Sequence, residues 1–238
     1  MGKLIELPKA KKNFEIRCRT ESLAEIELYG AIGESFFEDS ISAKDFSEQI
    51  KKLPSSIKEI HLRVNSPGGS VFDGMTMYER LRAHPAKVVA YIDGLAASIA
   101  SIIVMAADEI VIGDGAMMMI HKPITGVYGN SIEMERMIDI LDKIESQMIT
   151  IYAKKTGMSR AEISASLASE TWYTADQALE LGLADKKIEA SNTLQLVASA
   201  MKDCKWFKNK PEVKNTDSLV REKLRELNNK VTNFVNKK

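Results

Sequence analysis

Three segments of the chain carry residue types that could act together in nucleophilic catalysis. Two adjacent glycines, Gly68 and Gly69, follow an alternating strand pattern and precede a helix pattern. Ser98 lies in a run of small residues just after an apolar strand pattern, and His121 ends another apolar strand pattern. Backbone N–H groups of a glycine loop can bind a developing oxyanion. A serine hydroxyl needs a base such as histidine to attack at neutral pH.

Each segment also has an ordinary structural interpretation when it is taken alone. The glycine pair could form a plain strand-to-helix turn, the small residues around Ser98 could serve close helix packing, and a lone histidine is usually structural. His61 lies inside a predicted strand and His84 precedes a proline, so both are poorer candidates for a base. Together, the three segments favour a serine nucleophile with a histidine base.

The elements that must position these residues alternate between strand and helix. Period-2 or continuous apolar patterns predict strands at 24–30, 59–65, 87–92, 109–113 and 116–121. Helical spacing predicts helices at 42–53, 71–83, 95–107, 131–156, 159–168 and from Thr174 to about Gly182, with Ser42 and Ser159 as caps. This order is typical of an α/β fold with a parallel sheet covered by helices. It also places Ser98 in the first turns of a helix, where the dipole favours an oxyanion.

The helix predicted at 131–156 carries an apolar seam with alternating spacings of three and four residues. The seam consists of Met134, Met137, Leu141, Ile144, Met148 and Ile151. One interpretation is a helix that faces the core, and the other is an interface between subunits.

Composition excludes several classes of protein. The 238 residues include 33 basic and 33 acidic side chains, so net charge gives no general attraction to nucleic acid or to a membrane. The charge is uneven, because residues 202–238 hold 11 basic and 5 acidic side chains. Two distant cysteines predict neither a disulfide scaffold nor a cysteine metal site. The sequence shows no signal-peptide pattern and no apolar run long enough to cross a bilayer, so we expect a cytoplasmic protein. We also expect neither a metal nor a cofactor.

Four sequence blocks resemble one known family in their order and spacing. They are NSPGGSVFDGMTMYERL, DGLAASIAS, MMIHKP and ADQALELGLAD. The chain resembles the Clp protease proteolytic subunit (ClpP) family over roughly residues 25–190. The resemblance implies a serine endopeptidase with the ClpP/crotonase fold, in which β-β-α units repeat and a handle helix protrudes. It also implies a homo-oligomer of rings, usually of seven subunits and stacked around a chamber, that cleaves polypeptides.

The resemblance also implies roles for individual residues. Ser98 is the nucleophile, and His121 is the general base and acid. The backbone N–H groups of Gly69 and Ile99 form the oxyanion hole, and Gly68 shapes its loop. These roles are carried over by position in the matching blocks.

The third member of the triad is implied less directly. The family places an aspartate where this chain has Glu170, in the segment SETWYTA. A carboxylate that is one methylene longer can still accept the histidine N–H. The alternative is an exposed glutamate at a helix exit. Asp176 is better interpreted as an acidic first-turn residue of the following helix.

The chain departs from the family at both ends. We expect an N-terminal segment (1–24), a peptidase domain (25–190), and a basic linker with a C-terminal amphipathic helix (191–238). The N-terminal segment does not match the axial loops by which housekeeping subunits meet an unfoldase. The chain resembles more the ClpP-related head maturation proteases of phages and prophages, which cleave scaffold or capsid protein without an ATPase, in the host cytosol or procapsid. The alternatives are a subunit of an ATP-dependent Clp protease, an inactive assembly factor, and a crotonase-type acyl-CoA enzyme.

Overall fold

The computed structural model describes residues 14–33, 40–189 and 208–209. Within these ranges the chain forms one mixed sheet with helices packed on it, as the α/β prediction requires. The strands are β1 (Phe14–Cys18), β2 (Leu23–Tyr29), β3 (Glu59–Ser66), β4 (Lys87–Ala97), β5 (Glu109–Gly113), β6 (Met117–Ile120), β7 (Thr171–Thr174) and β8 (Lys186–Ile188). The helices are α1 (Ala43–Lys51), α2 (Val71–Arg82), α3 (Ile99–Val104), α4 (Ser131–Lys155), α5 (Arg160–Ala168) and α6 (Ala175–Glu180).

The sheet is parallel in its centre and antiparallel at two places. Its main path runs β1-β2-β3-β4-β5-β8, and β6 and β7 continue from the end of β4. Only β1–β2 and β6–β7 are antiparallel among the described pairs. Parallel strands need a crossover, and helices of this chain supply it, for example α2 between β3 and β4. The carboxyl ends of β3 and β4 therefore lie side by side, which brings the glycine loop close to Ser98.

Strand β4 is longer than the sequence pattern predicts, and this changes the position of Ser98. Residues 89–92 pair with β5, and Leu95–Ala97 pair with Met117–Met119 of β6. The helix predicted at 95–107 is therefore wrong in its first turn, and α3 is limited to Ile99–Val104. Leucine and alanine are good helix formers, but propensity contributes little free energy per residue, and strand pairing on both sides of β4 outweighs it. Ser98 lies at the junction between strand and helix and not inside the helix.

The helix starts follow the predicted caps. The side chains of Ser42 and Ser159 accept hydrogen bonds from N–H groups in the first turns of α1 and α5. Thr174 caps α6 in the same way. Each of these bonds satisfies one N–H that the helix itself leaves without a partner.

Three short strands were not predicted from sequence. Strand β1 lies in the expected N-terminal segment, yet it pairs with β2 and places Phe14 and Ile16 in the core. Strands β7 and β8 have only four and three residues, too few for a clear alternation. The domain boundaries at 24 and 190 stay predictions. The predicted C-terminal helix lies outside the described residues.

Helix α4 has a buried half, which confirms the core-facing interpretation for Met148 and Ile151, whereas the interface interpretation of its seam stays a prediction. Its last two turns are anchored in the core through Met148, Ile151 and Tyr152. Its first half is exposed, with apolar side chains such as Ile132 and Ile138 more than half accessible. A helix that leaves its own core while staying apolar on its surface is typical of an interaction surface.

A buried hydroxyl pair ties helix α4 to the strand–helix junction at Ser98. Ser101 Oγ donates to the carbonyl oxygen of Ser98 at 2.5 Å and lies 2.7 Å from the hydroxyl of Tyr152. Because the Ser101 proton is already used, Tyr152 is the donor in the second bond. Tyr152 is fully buried, and burial raises the pKa of its hydroxyl, so it stays protonated.

Replacing Tyr152 with phenylalanine should lower the free energy of unfolding by about 1 kcal/mol, because one buried hydrogen bond is lost without a large cavity. Urea denaturation followed by circular dichroism measures this change. Tyr128→Phe is the matched control, because Tyr128 is fully exposed. Equal stability of the two variants would show that the Ser101–Tyr152 bond contributes nothing.

Candidate active site

The backbone at Ser98 is held in an unusual conformation. Its φ of 54° and ψ of −129° place a serine in a region that favours glycine. The Ser98 N–H donates to the carbonyl oxygen of Met119 at 2.9 Å, which fixes the turn against strand β6. Such strain costs roughly 1–3 kcal/mol and is found where a side chain must be presented sharply. The result is a hydroxyl that leaves the strand at a tight turn, as in a nucleophile elbow.

His121 follows strand β6 and reaches the hydroxyl of Ser98. Its Nε2 lies 2.7 Å from Ser98 Oγ. The residue is only 8% exposed, so the hydrogen bond is largely shielded from water. The other two histidines have different partners: His61 lies beside Glu59, and the Nδ1 of His84 accepts a backbone N–H. The sequence-based choice of His121 is therefore the one that the geometry supports.

Glu170 lies between the end of helix α5 and the start of strand β7. Ile120 pairs with Thr171 at the end of the antiparallel β6–β7 ladder, so His121, which follows Ile120, and Glu170, which precedes Thr171, are brought close together. Glu170 is 8% exposed, which argues against the alternative of an exposed glutamate. Its φ of 48° is again a value that favours glycine. A glutamate at a strained and buried position indicates a role for its carboxylate.

The carboxylate of Glu170 has partners from a distant part of the chain. Its Oε2 accepts the backbone N–H of Lys208 at 3.0 Å, and its Oε1 accepts that of Asn209 at 2.5 Å. The side-chain amide of Asn209 also donates to the carbonyl oxygen of Ser169 at 2.9 Å. No sequence pattern pointed to these residues, because backbone donors leave no signature in side-chain types.

Burial and charge act in opposite directions on the pKa of His121. Burial is the larger effect and lowers the pKa of His121 below its ordinary value of 6.5, because the interior disfavours the imidazolium. The negative charge of Glu170 raises the same pKa in part. The net pKa lies below 6.5, so His121 is neutral at pH 7 and its Nε2 can accept the proton of Ser98.

The glycine loop packs tightly against Ser98. Gly68 has a φ of 89°, and a Cβ there would lie 2.7 Å from the Cβ of Ser98 and 3.1 Å from the nitrogen of Ile99. A Cβ on Gly69 would lie 2.0 Å from the carbonyl oxygen of Ile32. No other residue fits at either position without moving backbone. Both glycines are therefore required by space as well as by conformation.

The two predicted oxyanion donors, Gly69 and Ile99, belong to segments that adjoin Ser98, namely the glycine loop and the start of α3. Ile99 is the first residue of α3, and the first N–H groups of a helix have no partner within it. Gly69 belongs to the loop that Ile32 holds on both sides, through bonds to Gly68 and Ser70. Gly68 itself donates to the side chain of Ser66 at 3.1 Å. Gly69 and Ile99 stay the predicted oxyanion donors, and the tight packing of Gly68 against Ser98 fits the shaping role that the resemblance implies.

A cleft of about 150 Å³ opens beside the residue that follows His121. Apolar side chains and one ion pair share its lining, which consists of Lys122, Pro123, Ile138, Leu141, Asp142 and Glu145. Lys122 Nζ lies 2.9 Å from Glu145 Oε2. Met118 and Met119 of strand β6 are fully buried in the core.

Metal-ligand clusters and membrane-spanning helices are absent from the part of the chain that the structure describes. No group of three or more histidine, cysteine, aspartate or glutamate residues is placed to hold a metal ion in these ranges. None of the helices described here has the length and apolar character needed to cross a bilayer.

Comparison with known proteins identifies the family. A sequence model of the family described as Clp protease matches residues 24–191. The ATP-dependent Clp protease proteolytic subunit 1 of Streptomyces avermitilis is 32% identical over 165 residues, covering 68% of this chain and 76% of the relative. Subunit 1 of Chlamydia muridarum is 30% identical, with 67% and 88% covered. Because the matched region spans more than half of the chain and contains the whole Ser98–His121 arrangement, this protein belongs to the Clp protease family of serine peptidases.

Proposed function

We propose that Ser98, His121 and Glu170 form the catalytic triad of this serine endopeptidase. The observation that carries the proposal is the 2.7 Å separation between His121 Nε2 and Ser98 Oγ. At that distance the imidazole can take the hydroxyl proton as the oxygen attacks a peptide carbonyl. The negative charge of Glu170 raises the pKa of His121, and it therefore stabilises the imidazolium that forms.

The proton and the charge follow a simple path in this proposal. When Ser98 Oγ bonds to the carbonyl carbon, the carbonyl oxygen becomes an oxyanion that the N–H groups of Gly69 and Ile99 bind. His121 then donates the proton to the leaving amine, and the C–N bond breaks to give an acyl-enzyme. A water molecule, deprotonated by His121, releases the acyl group and restores the Ser98 hydroxyl.

We infer that the enzyme works as a homo-oligomer of rings, heptameric and stacked, around a chamber that polypeptide substrates enter. The exposed apolar half of α4 supports this, because isolated subunits would leave side chains such as Ile138 in water. An exposed apolar half of this kind fits a handle that packs against a second ring.

For the biological role we propose maturation of phage heads, with scaffold or capsid protein as the substrate in the bacterial cytosol or procapsid. The support comes from the ends of the chain: the N-terminal segment lacks the axial-loop pattern, and a basic segment follows the family match. The second candidate is an ATP-dependent Clp protease that works with an unfoldase, and it is favoured by the relatives, which are proteolytic subunits of ATP-dependent Clp proteases. The hydrogen-bonded Ser98–His121 pair argues against an acyl-CoA enzyme or an inactive assembly factor.

Glu170→Gln should lower kcat on the order of 10²- to 10⁴-fold, because the imidazolium loses its counter-charge. It should also move the acidic limb of the kcat/KM profile to lower pH. The free base must be neutral, so activity falls as pH drops through the pKa of His121, which lies below 6.5 in the native enzyme. Removing the charge of Glu170 lowers that pKa further. The measurement is peptide hydrolysis between pH 4.5 and 8.

Glu180→Gln is the matched control, because it makes the same chemical change at an exposed position at the end of α6. Its kcat and pH profile should equal those of the native enzyme. If Glu170→Gln also leaves both unchanged, the carboxylate of the triad must be assigned to another residue.

The role can be tested by expressing the chain with candidate capsid or scaffold protein from the same genomic neighbourhood. We expect specific cleavage without an unfoldase and without ATP, and none with Ser98→Ala. The parallel reaction adds a Clp unfoldase, ATP and an unfolded reporter protein. Ser98-dependent degradation only in this second reaction would contradict the phage role and establish the ATP-dependent one.

A further inference from the structure

The carboxylate of Glu170 is bound by two successive backbone N–H groups that lie beyond the region shared with the family. Lys208 and Asn209 donate to its two oxygens, one each. They lie 38 and 39 residues further along the chain, whereas the family match ends at residue 191. Successive N–H groups that converge on one anion form a binding concavity of the kind called a nest. A segment outside the family's domain thus contacts the candidate triad directly.

These contacts form a three-point attachment at the end of helix α5. Besides the two bonds to Glu170, the side chain of Asn209 donates to the carbonyl oxygen of Ser169. Ser169 is the cap residue that ends α5, and its carbonyl belongs to the last turn, where the helix supplies no donor. The attachment therefore supplies hydrogen-bond donors both to a carbonyl oxygen at the end of α5 and to the buried carboxylate of Glu170. The bonds to the carboxylate are charge-assisted, which makes them the stronger kind.

The carboxylate keeps the capacity to act on His121 while it is held in this way. An ionised carboxyl group offers about four acceptor positions, and the nest uses two. The negative charge of Glu170 still acts on His121. Glutamate has one more rotatable bond than the aspartate of the family pattern, so it needs more help to stay in one conformation. Two donors on its two oxygens fix that conformation.

We propose that residues 208–209 are a positioning segment of the active site, which binds the Glu170 carboxylate and holds it in place near His121. The inference rests on the proposed triad and deepens it, because it assigns a function to part of the chain that follows the peptidase domain. The segment acts through Glu170 and does not touch the reacting atoms.

The test removes a backbone donor without removing the segment. Lys208→Pro deletes the N–H that binds Glu170 Oε2, and Lys208→Ala keeps that N–H as the matched control. We expect Lys208→Pro to lower kcat for a peptide substrate roughly tenfold, with KM unchanged, since a charge-assisted bond is lost. The acidic limb of its pH profile should move to lower pH, because the carboxylate leaves His121. Lys208→Ala should stay within about twofold of the native enzyme.

A second background separates positioning from a general effect on folding. On Glu170→Gln, the Lys208→Pro change should have almost no additional effect on kcat, because the group through which it acts is already gone. Asn209→Ala provides an independent variant that keeps both N–H groups and loses only the bond to Ser169. It should show a smaller decrease of the same kind. Thermal unfolding of every variant checks that the domain stays folded.

Several outcomes would overturn the inference. One is an equal kcat for Lys208→Pro and Lys208→Ala. Another is that Lys208→Pro lowers kcat by the same factor in the native enzyme and in Glu170→Gln. The third is a higher kcat in Lys208→Pro than in the native enzyme, which would mean that the segment inhibits. If Lys208→Pro does not fold, a native pH profile in Asn209→Ala overturns it as well. Ser98-dependent activity with any of these results leaves the proposed function intact. Activity that persists in Ser98→Ala would overturn the proposed function and this inference together.

Discussion

The backbone hydrogen bond between the N–H of Ser98 and the carbonyl oxygen of Met119 is the contact on which the arrangement of the site depends. It joins the end of β4 to β6 at the point where β6 leads into His121. The strained turn at Ser98 would relax without it, and the hydroxyl would lose its fixed distance from the imidazole. The pairing of Leu95–Ala97 with Met117–Met119 supplies the rest of the attachment. Strand β4 pairs first with β5 and then with β6, and this change of partner sets the relative position of Ser98 and His121.

Much of the site could be predicted from sequence because its side chains are of chemically distinctive types. A paired glycine loop, a serine among small residues and a histidine after an apolar strand leave little ambiguity when they occur together. The fold class followed from the alternation of strand and helix patterns. The end of β4 was predicted wrongly, because Leu95–Ala97 has no alternation and is held as a strand by its neighbours. Local sequence does not record such pairing.

Other features depend on backbone groups or on distant pairing, and single residues do not signal them. The strand at 171–174 exists because β6 offers an edge, and it brings Glu170 close to His121. The positive φ of Glu170 is a property of the helix end and not of glutamate. The donors at 208 and 209 are backbone N–H groups, which every residue except proline carries. These are the parts of the site for which coordinates were needed.

The central claim is that Ser98 reacts beside two amides that stabilise negative charge. A crystal structure of the enzyme treated with a fluorophosphonate tests it most directly, since the bound phosphoryl group imitates the tetrahedral intermediate. We predict a covalent bond from Ser98 Oγ to phosphorus, with the phosphoryl oxygen about 2.7–3.1 Å from the nitrogens of Gly69 and Ile99. A reagent bonded to another residue, or an oxygen directed away from both amides, would contradict the account.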